Sequence, residues 1–259
     1  MAGFRPGRLD ALRAEIAALE TGGRGDCESL SWGEAALDVC FPAGGLPLGN
    51  WHEFAGAGLE IETAAAPAAF AALIAAPLAR RGEAIWVLQR DDLHAPGLST
   101  LGFPGERLIQ VCARDAAETL AVLEDALSTA GVACAFAEVE AVDLVAGRRL
   151  QLACERRGAT AFIIRRRPYG GAPRARVNGS PASRWRIAPA PSAPAPDIPG
   201  LGPPRWRVEL ERVRGGRPGA WIMEAREGWE PTDAAHPLRL VAHLGDRQLE
   251  TPPPERAVA

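Results

Sequence analysis

The sequence predicts an α/β fold in which a largely parallel central sheet is flanked by helices. Short, continuously apolar runs recur along the chain, as in strands that are covered on both faces. Helical segments with one apolar side lie between these runs, and this alternation is typical of βα units with a parallel sheet. The 259 residues, of which 47% are hydrophobic and 24% charged, suffice to build such a fold.

The amino-terminal part predicts two segments ahead of the main domain. Residues 1–22 form a predicted amphipathic helix, which docks either on the main domain or on a partner. Its apolar seam consists of Leu9, Leu12, Ile16 and Leu19. Residues 23–50 are rich in Gly and polar residues and predict a linker that ends in an entry turn.

Residues 51–225 form the predicted core. Residues 51–54 predict a short strand, and apolar runs at 84–88, 108–112, 132–139 and 161–164 predict further strands. The segments 63–80 and 143–157 predict helices. A further helix is predicted after Asp115, which forms a capping-box pattern with Glu118. Cys112 and Cys134 lie in strand-like runs and are predicted to be core residues.

The last part of the predicted core is antiparallel. The alternating run 206–213, the Gly-rich turn 215–219 and the run 220–223 predict a C-terminal antiparallel hairpin. Three tryptophans on these strands are predicted to be core aromatics, with partner docking as the alternative: Trp185, Trp206 and Trp221. Residues 226–259 predict a loosely structured tail.

Composition excludes several functions. All 29 basic residues are Arg, so neither a Schiff-base lysine nor the lysine of a standard P-loop exists here. The five cysteines lack metal-ligand spacing, and we expect neither a metal nor a cofactor. The chain carries no membrane-length apolar run and no signal-peptide core, which predicts a cytoplasmic protein without a membrane partner.

The order of the predicted elements resembles that of the RecA-type ATPase core. A turn and a strand are followed by a Gly-rich loop, a helix, further βα units and a hairpin. The P-loop pattern of that core, GxxxxGK[ST], falls on residues 56–63. Gly56 and Thr63 match, and Gly58 lies between them, but Ile61 replaces the second Gly and Glu62 replaces the Lys. Reversing a unit charge beside a phosphate changes the interaction by several kcal/mol. We therefore predict a degenerate loop without ATP hydrolysis.

Two acids lie where RecA-type proteins place catalytic carboxylates. Asp91 follows the strand 84–88 at the position of the water-activating acid, and Glu138 lies at the position of the Walker B acid. Without a phosphate cradle neither acid has a substrate, so both are interpreted as relics and as solvated carboxylates at strand ends.

Several phrases narrow the resemblance to the ImuA family, degenerate RecA-like proteins of the SulA superfamily. They cover roughly residues 9–225 and include His52-Glu53-Phe54, Arg184-Trp185-Arg186 and the run Arg-Gly-Gly-Arg-Pro-Gly at 214–219. Membership implies a non-catalytic accessory role in damage-induced mutagenic translesion DNA synthesis. The implied partners are an ImuB-type polymerase relative and an error-prone polymerase, and the sequence leaves open whether RecA or a second copy of the chain is a further partner.

Two other functions stay open at this level. A SulA-like inhibitor of cell division, which blocks a protein by binding it, is compatible with the superfamily. An active DNA-dependent ATPase or recombinase would need a nucleotide pose that uses arginine in place of the missing lysine.

The charge distribution suggests a nucleic-acid contact independently of the resemblance. Residues 148–186 contain eleven arginines and one acid, Glu155, in a chain whose net charge is −3. Flexible backbone, guanidinium groups and an aromatic ring suit single-stranded DNA. The residues predicted to bind single-stranded DNA, or the acidic surface of a partner, are Arg165, Arg166, Arg167, Tyr169, Arg174 and Arg176.

Overall fold

The computed structural model describes residues 28–63, 65–166, 179–192, 200–226, 228–229 and 236–244. The predicted N-terminal helix at 1–22, with its seam of Leu9, Leu12, Ile16 and Leu19, lies outside these ranges. Within them, no helix is long and apolar enough to cross a membrane.

A nine-stranded mixed sheet organises the fold and confirms the predicted α/β class with a largely parallel sheet. The strand order is β11-β10-β9-β8-β3-β7-β6-β4-β5, and the strands from β8 to β5 run parallel. The strands are β1 (Ser29–Leu30), β2 (Leu46–Pro47), β3 (Trp51–Gly56), β4 (Glu83–Leu88), β5 (Leu108–Cys112), β6 (Val132–Val139), β7 (Thr160–Arg165), β8 (Ser183–Ala190), β9 (Arg205–Val213), β10 (Gly219–Ala225) and β11 (Leu238–His243).

Helices lie on both faces of the parallel part. They are α1 (Ala35–Asp38), α2 (Glu60–Thr63), α3 (Ala65–Ala79), α4 (Ala95–Ser99), α5 (Ala116–Ser128) and α6 (Leu144–Arg157), with a 3-10 turn at Gly105–Arg107. The helix α3 is apolar around nearly its whole circumference, because it is buried against one face of the sheet. The helices α5 and α6 pack side by side on the other face.

The predicted cap of α5 forms, and α6 has a cap of the same kind. The carboxylate of Asp115 accepts a hydrogen bond from the backbone N–H of Glu118 at 2.9 Å, and Asp143 accepts one from Ala146 at 2.8 Å. These bonds satisfy amide groups that the first turns of α5 and α6 leave without partners. At its other end α6 closes on Gly158, whose φ of 75° is the left-handed conformation that favours glycine.

A row of aromatic rings fills the core between α3 and the sheet. Each ring comes from a different parallel strand: Trp86, Phe136, Phe162, Phe54 and Trp185, on β4, β6, β7, β3 and β8. Neighbouring rings are stacked with centroids 4.2–6.1 Å apart. The row spans five adjacent strands, so it joins the parallel strands into one hydrophobic layer.

The antiparallel end of the sheet confirms the predicted hairpin. β9 pairs with β10 in an antiparallel register, and β8 and β11 extend the pairing on either side. Trp185, Trp206 and Trp221 are buried, as expected of core aromatics. Cys134 is also buried, but Cys112 is exposed because β5 is an edge strand, so that prediction was wrong for Cys112.

Two predicted boundaries need correction. Residues 28–50 are not a linker: Trp32, Leu37, Phe41 and Leu46 are buried in the same core as α3. The core also continues past residue 225, because β11 pairs with β10. Both segments join the core through contacts with strands that are distant in the sequence. Neither segment carries enough local sequence pattern to predict these contacts. Residues 245–259 of the predicted tail lie outside the described part.

Two buried histidines make the fold sensitive to acid. His52 lies between the Ser183 hydroxyl (2.7 Å) and the Pro47 carbonyl (3.0 Å), and burial lowers its pKa to about 4. Burial, with a smaller contribution from the charge of Arg226, lowers the pKa of His236 to about 3. Between pH 6.5 and 4 the unfolded chain therefore takes up protons that the folded chain does not.

We expect the free energy of unfolding to fall by roughly 3 kcal/mol per buried histidine as the pH decreases from about 6.5 to 4. Urea denaturation at several pH values measures this slope. His52→Gln should flatten it, whereas His94→Gln, at an exposed position, should leave it as in the parent. Equal slopes for the parent and His52→Gln would contradict the lowered pKa of His52 in the folded chain.

Candidate functional site

The candidate site lies where parallel strands end and the loop of residues 56–63, the predicted degenerate P-loop, begins. The loop leaves β3 at Gly56 and enters α2, and the backbone N–H of Ala57 donates to the carbonyl of Ile187 on β8 at 2.9 Å. Because the carboxyl ends of parallel strands meet at one edge, residues after β4, β6 and β7 reach the same place. This is the edge at which open α/β sheets bind ligands.

The loop is filled by its own side chains. The carboxylate of Glu62 accepts a hydrogen bond from the backbone N–H of Leu59 at 3.2 Å, and the Thr63 hydroxyl donates to the Leu59 carbonyl at 3.1 Å. A Cβ on Gly56 would lie 2.1 Å from the Thr63 hydroxyl, and one on Gly58 would lie 2.7 Å from the Glu62 carboxylate. These glycines thus accommodate the chain's own side chains. In a working P-loop, amide groups of this kind face phosphate oxygens.

A single guanidinium group occupies the centre of the site. Arg166 directly follows β7 and contacts three carboxylates from three separate segments. Its Nε lies 2.8 Å from Glu60 of α2, its Nη1 lies 2.7 Å from Glu138 of β6, and its Nη2 lies 2.8 Å from Asp92 after β4. We call these four residues the Arg166 cluster. The three acids of the cluster outnumber its one cation, so these four described residues leave no unpaired cation for an anionic ligand.

Glu138 is buried, so the prediction of a solvated carboxylate was wrong for this residue. Its Oε1 accepts a hydrogen bond from the Trp86 indole N–H at 2.9 Å, and its Oε2 accepts one from Arg166. Burial raises the pKa of Glu138, an effect that the bonds from Trp86 and Arg166 only partly offset. The end of β6 is buried beneath α3, and the sequence pattern does not show that Glu138 is buried there.

The acid after β4 that joins the cluster is Asp92, which the sequence analysis missed. Asp91, the residue chosen there, is exposed and makes no contact with Arg166 among the described residues. The hydrogen bond from Arg166 lowers the pKa of Asp92. The Asp-Asp pair was the available signal, but the turn that follows β4 decides which of the two carboxylates contacts Arg166.

A cavity of about 350 Å³ adjoins the cluster. Asp92, Glu138 and Arg166 form its charged part, and the rest of its wall is mostly apolar. The apolar wall comes from α3, α4 and the segments beside α4: Ala65, Ala68, Ala69, Leu93, Leu98 and Leu101. The described residues contain no group of three or more His, Cys, Asp and Glu side chains that could hold a metal ion.

A second buried carboxylate, Glu53 on β3, pairs with two arginines. Arg184 Nε lies 2.8 Å from its Oε1, and Arg165 Nη1 lies 3.6 Å from the same oxygen. In the sequence, Glu53 stands out only as part of the phrase His52-Glu53-Phe54. A carboxylate in a strand that also contains Trp51 and Phe54 was the signal for a buried ion pair.

The residues predicted to bind DNA divide into two groups. Arg165 and Arg166 face carboxylates of their own chain, so a contact with phosphate would have to replace those ion pairs. Arg167, Tyr169, Arg174 and Arg176 lie outside the described residues. The structure therefore places both Arg165 and Arg166 at the carboxyl edge of the sheet. Arg165 contacts Glu53 there, whereas Arg166 contacts the carboxylates of the Arg166 cluster.

Sequence comparison decides the family. No protein-family model matches the chain. The curated Protein ImuA of Caulobacter vibrioides strain NA1000 / CB15N is 60% identical over 237 residues, which cover 89% of this chain and 96% of that protein. The protein of the same name from strain ATCC 19089 / CIP 103742 matches equally well. The chain belongs to the ImuA family.

Structure comparison places this ImuA-family chain in the RecA-like fold. The crystal structure of the RadB recombinase superposes with a TM-score of 0.52 and 16% sequence identity. The match covers 76% of this chain and 96% of that one. At this identity the similarity concerns the fold alone.

Removing the central guanidinium should destabilise the fold. We expect Arg166→Met to cost about 3 kcal/mol of unfolding free energy, because Glu138 is then buried without its cation. Arg107→Met removes an exposed pair with Glu83 and should cost less than about 1 kcal/mol. Urea denaturation measures both variants. Adding Glu138→Gln to Arg166→Met should recover part of the lost unfolding free energy. Equal losses for Arg166→Met and Arg107→Met would contradict a structural role for the Arg166 cluster.

Proposed function

We propose that this chain is a non-catalytic adaptor in damage-induced mutagenic translesion DNA synthesis. It acts in the cytoplasm beside an ImuB-type polymerase relative and an error-prone polymerase, the partners that the family resemblance implies. Its RecA-like scaffold presents surfaces to these partners and does not turn over nucleotide. Family membership supports the process, and the state of the P-loop supports the absence of catalysis.

One observation carries the non-catalytic part of this proposal: the elements that would bind a triphosphate are occupied by the chain itself. Glu62 accepts the Leu59 amide, and Arg166 is already paired with three carboxylates. A triphosphate would therefore meet acidic groups at the loop and at the strand ends. At an effective dielectric of about 20, each such contact near 4 Å costs several kcal/mol.

Nucleotide titration tests this part of the proposal. We expect Mg·ATP to give no saturable binding heat up to about 1 mM, and no phosphate release above background when single-stranded DNA is added. Ile61→Gly/Glu62→Lys should bind nucleotide at least about tenfold more tightly, because the charge at the loop is reversed. Glu106→Lys makes the same charge change at an exposed position before β5 and should have no effect.

Micromolar binding of Mg·ATP by the parent, followed by hydrolysis with single-stranded DNA, would show that the chain is an active ATPase. Equal nucleotide affinity of the two lysine variants would show that Glu62 is not the residue that excludes phosphate.

Co-purification tests the adaptor role. We expect the chain to retain the ImuB-type protein from the same cell on an affinity column after DNA damage, with or without nuclease treatment. Retention of the division-ring protein in its place would support a SulA-like inhibitor. Quantitative mass spectrometry of the eluates, with an untagged chain as the control, distinguishes these results.

A further inference from the structure

The outward side of α6 carries exposed aliphatic side chains beside arginines. Leu144, Val145 and Leu152 are 58%, 71% and 43% exposed. Single exposed aliphatic residues are ordinary, but three within nine positions of one helix form a patch. Arg148, Arg149 and Arg156 are exposed on the same helix. We call these six residues the α6 outer face.

Helix geometry makes this face continuous. Positions four apart are neighbours on a helix, so Leu144, Arg148, Leu152 and Arg156 follow one line along α6. The opposite side of α6 is buried by Gly147, Leu150 and Cys154. The cap at Asp143 and the left-handed Gly158 close the two ends of the helix, so the outer face belongs to an ordered element.

Two of the three arginines on the α6 outer face are available for ion pairs with a partner. Arg149 pairs with Glu124 of the neighbouring helix α5 at 2.7 Å. Arg148 and Arg156 make no ion pair with another residue of the described part of the chain. The sequence of α6 contains four arginines and one acid, Glu155, whose carboxylate accepts a hydrogen bond from Gln151. The face is therefore cationic and apolar at once.

We propose that the α6 outer face docks an acidic amphipathic segment of a partner protein. Its guanidinium groups match carboxylates, and its aliphatic side chains need an apolar stripe on the partner. A protein segment with alternating acidic and aliphatic residues supplies both. Nucleic acid would use the arginines alone, because α6 has no aromatic residue for bases to stack on and phosphates gain nothing from Leu or Val.

This surface gives the proposed adaptor a contact site, but it does not depend on the degenerate P-loop or on the identity of the translesion partners. Its test uses a model peptide and no nucleotide, so its failure would leave the proposed function as it stands.

The probe is a fluorescein-labelled peptide of about four helical turns with leucines along one stripe and glutamates elsewhere. A companion peptide carries glutamine in place of glutamate, and a labelled oligothymidylate serves as the nucleic-acid probe. Fluorescence anisotropy with the full chain measures all three. We expect saturable binding of the acidic peptide below about 100 µM, and binding at least about tenfold weaker for the glutamine peptide.

Two variants separate the charged and apolar parts of the surface. Arg148→Glu/Arg156→Glu and Val145→Gln/Leu152→Gln should each weaken acidic-peptide binding at least about tenfold. Arg207→Glu/Arg212→Glu reverses two exposed arginines on β9 and should leave the affinity within about twofold. All changed positions are exposed, and urea denaturation confirms that each variant is folded.

Three results would overturn the proposal. The first is the absence of saturable binding of the acidic peptide, or equal affinity for the two peptides. The second is oligothymidylate binding that the arginine variant loses and the aliphatic variant retains, which would identify a nucleic-acid surface. The third is peptide binding that appears only after residues 1–22 are deleted, which would identify that segment as the resident occupant.

Discussion

The carboxyl edge of this sheet depends on one guanidinium group shared among three carboxylates. Arg166 joins the loop of residues 56–63, the segment after β4 and the end of β6, which are distant in the chain. Burying acids is costly unless a cation with matching geometry compensates them. The arginine therefore holds three segments in one arrangement, and each of the acids would repel the others without it.

That arrangement fits the proposed absence of nucleotide chemistry in a RecA-like scaffold. A phosphate site needs free amide groups and a free cation. Here the Glu62 carboxylate accepts a hydrogen bond from the Leu59 amide, and Arg166 is paired with three carboxylates. Burial opposes the charged form of Arg166, but the surrounding acids outweigh it and hold the guanidinium pKa above its usual value. At this edge of the sheet, the charged side chains pair with one another and leave no open phosphate site among the residues of the Arg166 cluster.

Much of the fold could be predicted from the sequence, because the strands of a parallel sheet are continuous apolar runs that local pattern exposes. β4, β5 and β6 lie where the pattern placed them, and α6 covers the segment predicted as a helix. The errors share one physical cause. β11 pairs through backbone bonds that carry little sequence signal, and the segment around Trp32 is buried by contact with Trp185, far away in the chain.

For the candidate site, the sequence by itself determined which charges are present: no lysine, an acid at the P-loop, and arginines after β7. These are covalent facts, and they suffice to argue against a triphosphate. Only the tertiary structure decided which charges meet. Asp92 and not Asp91 faces Arg166, Glu138 is buried and Glu53 pairs with Arg184. Ion pairs between segments as far apart as Glu60 and Arg166 depend on strand order and helix position, which local sequence does not encode.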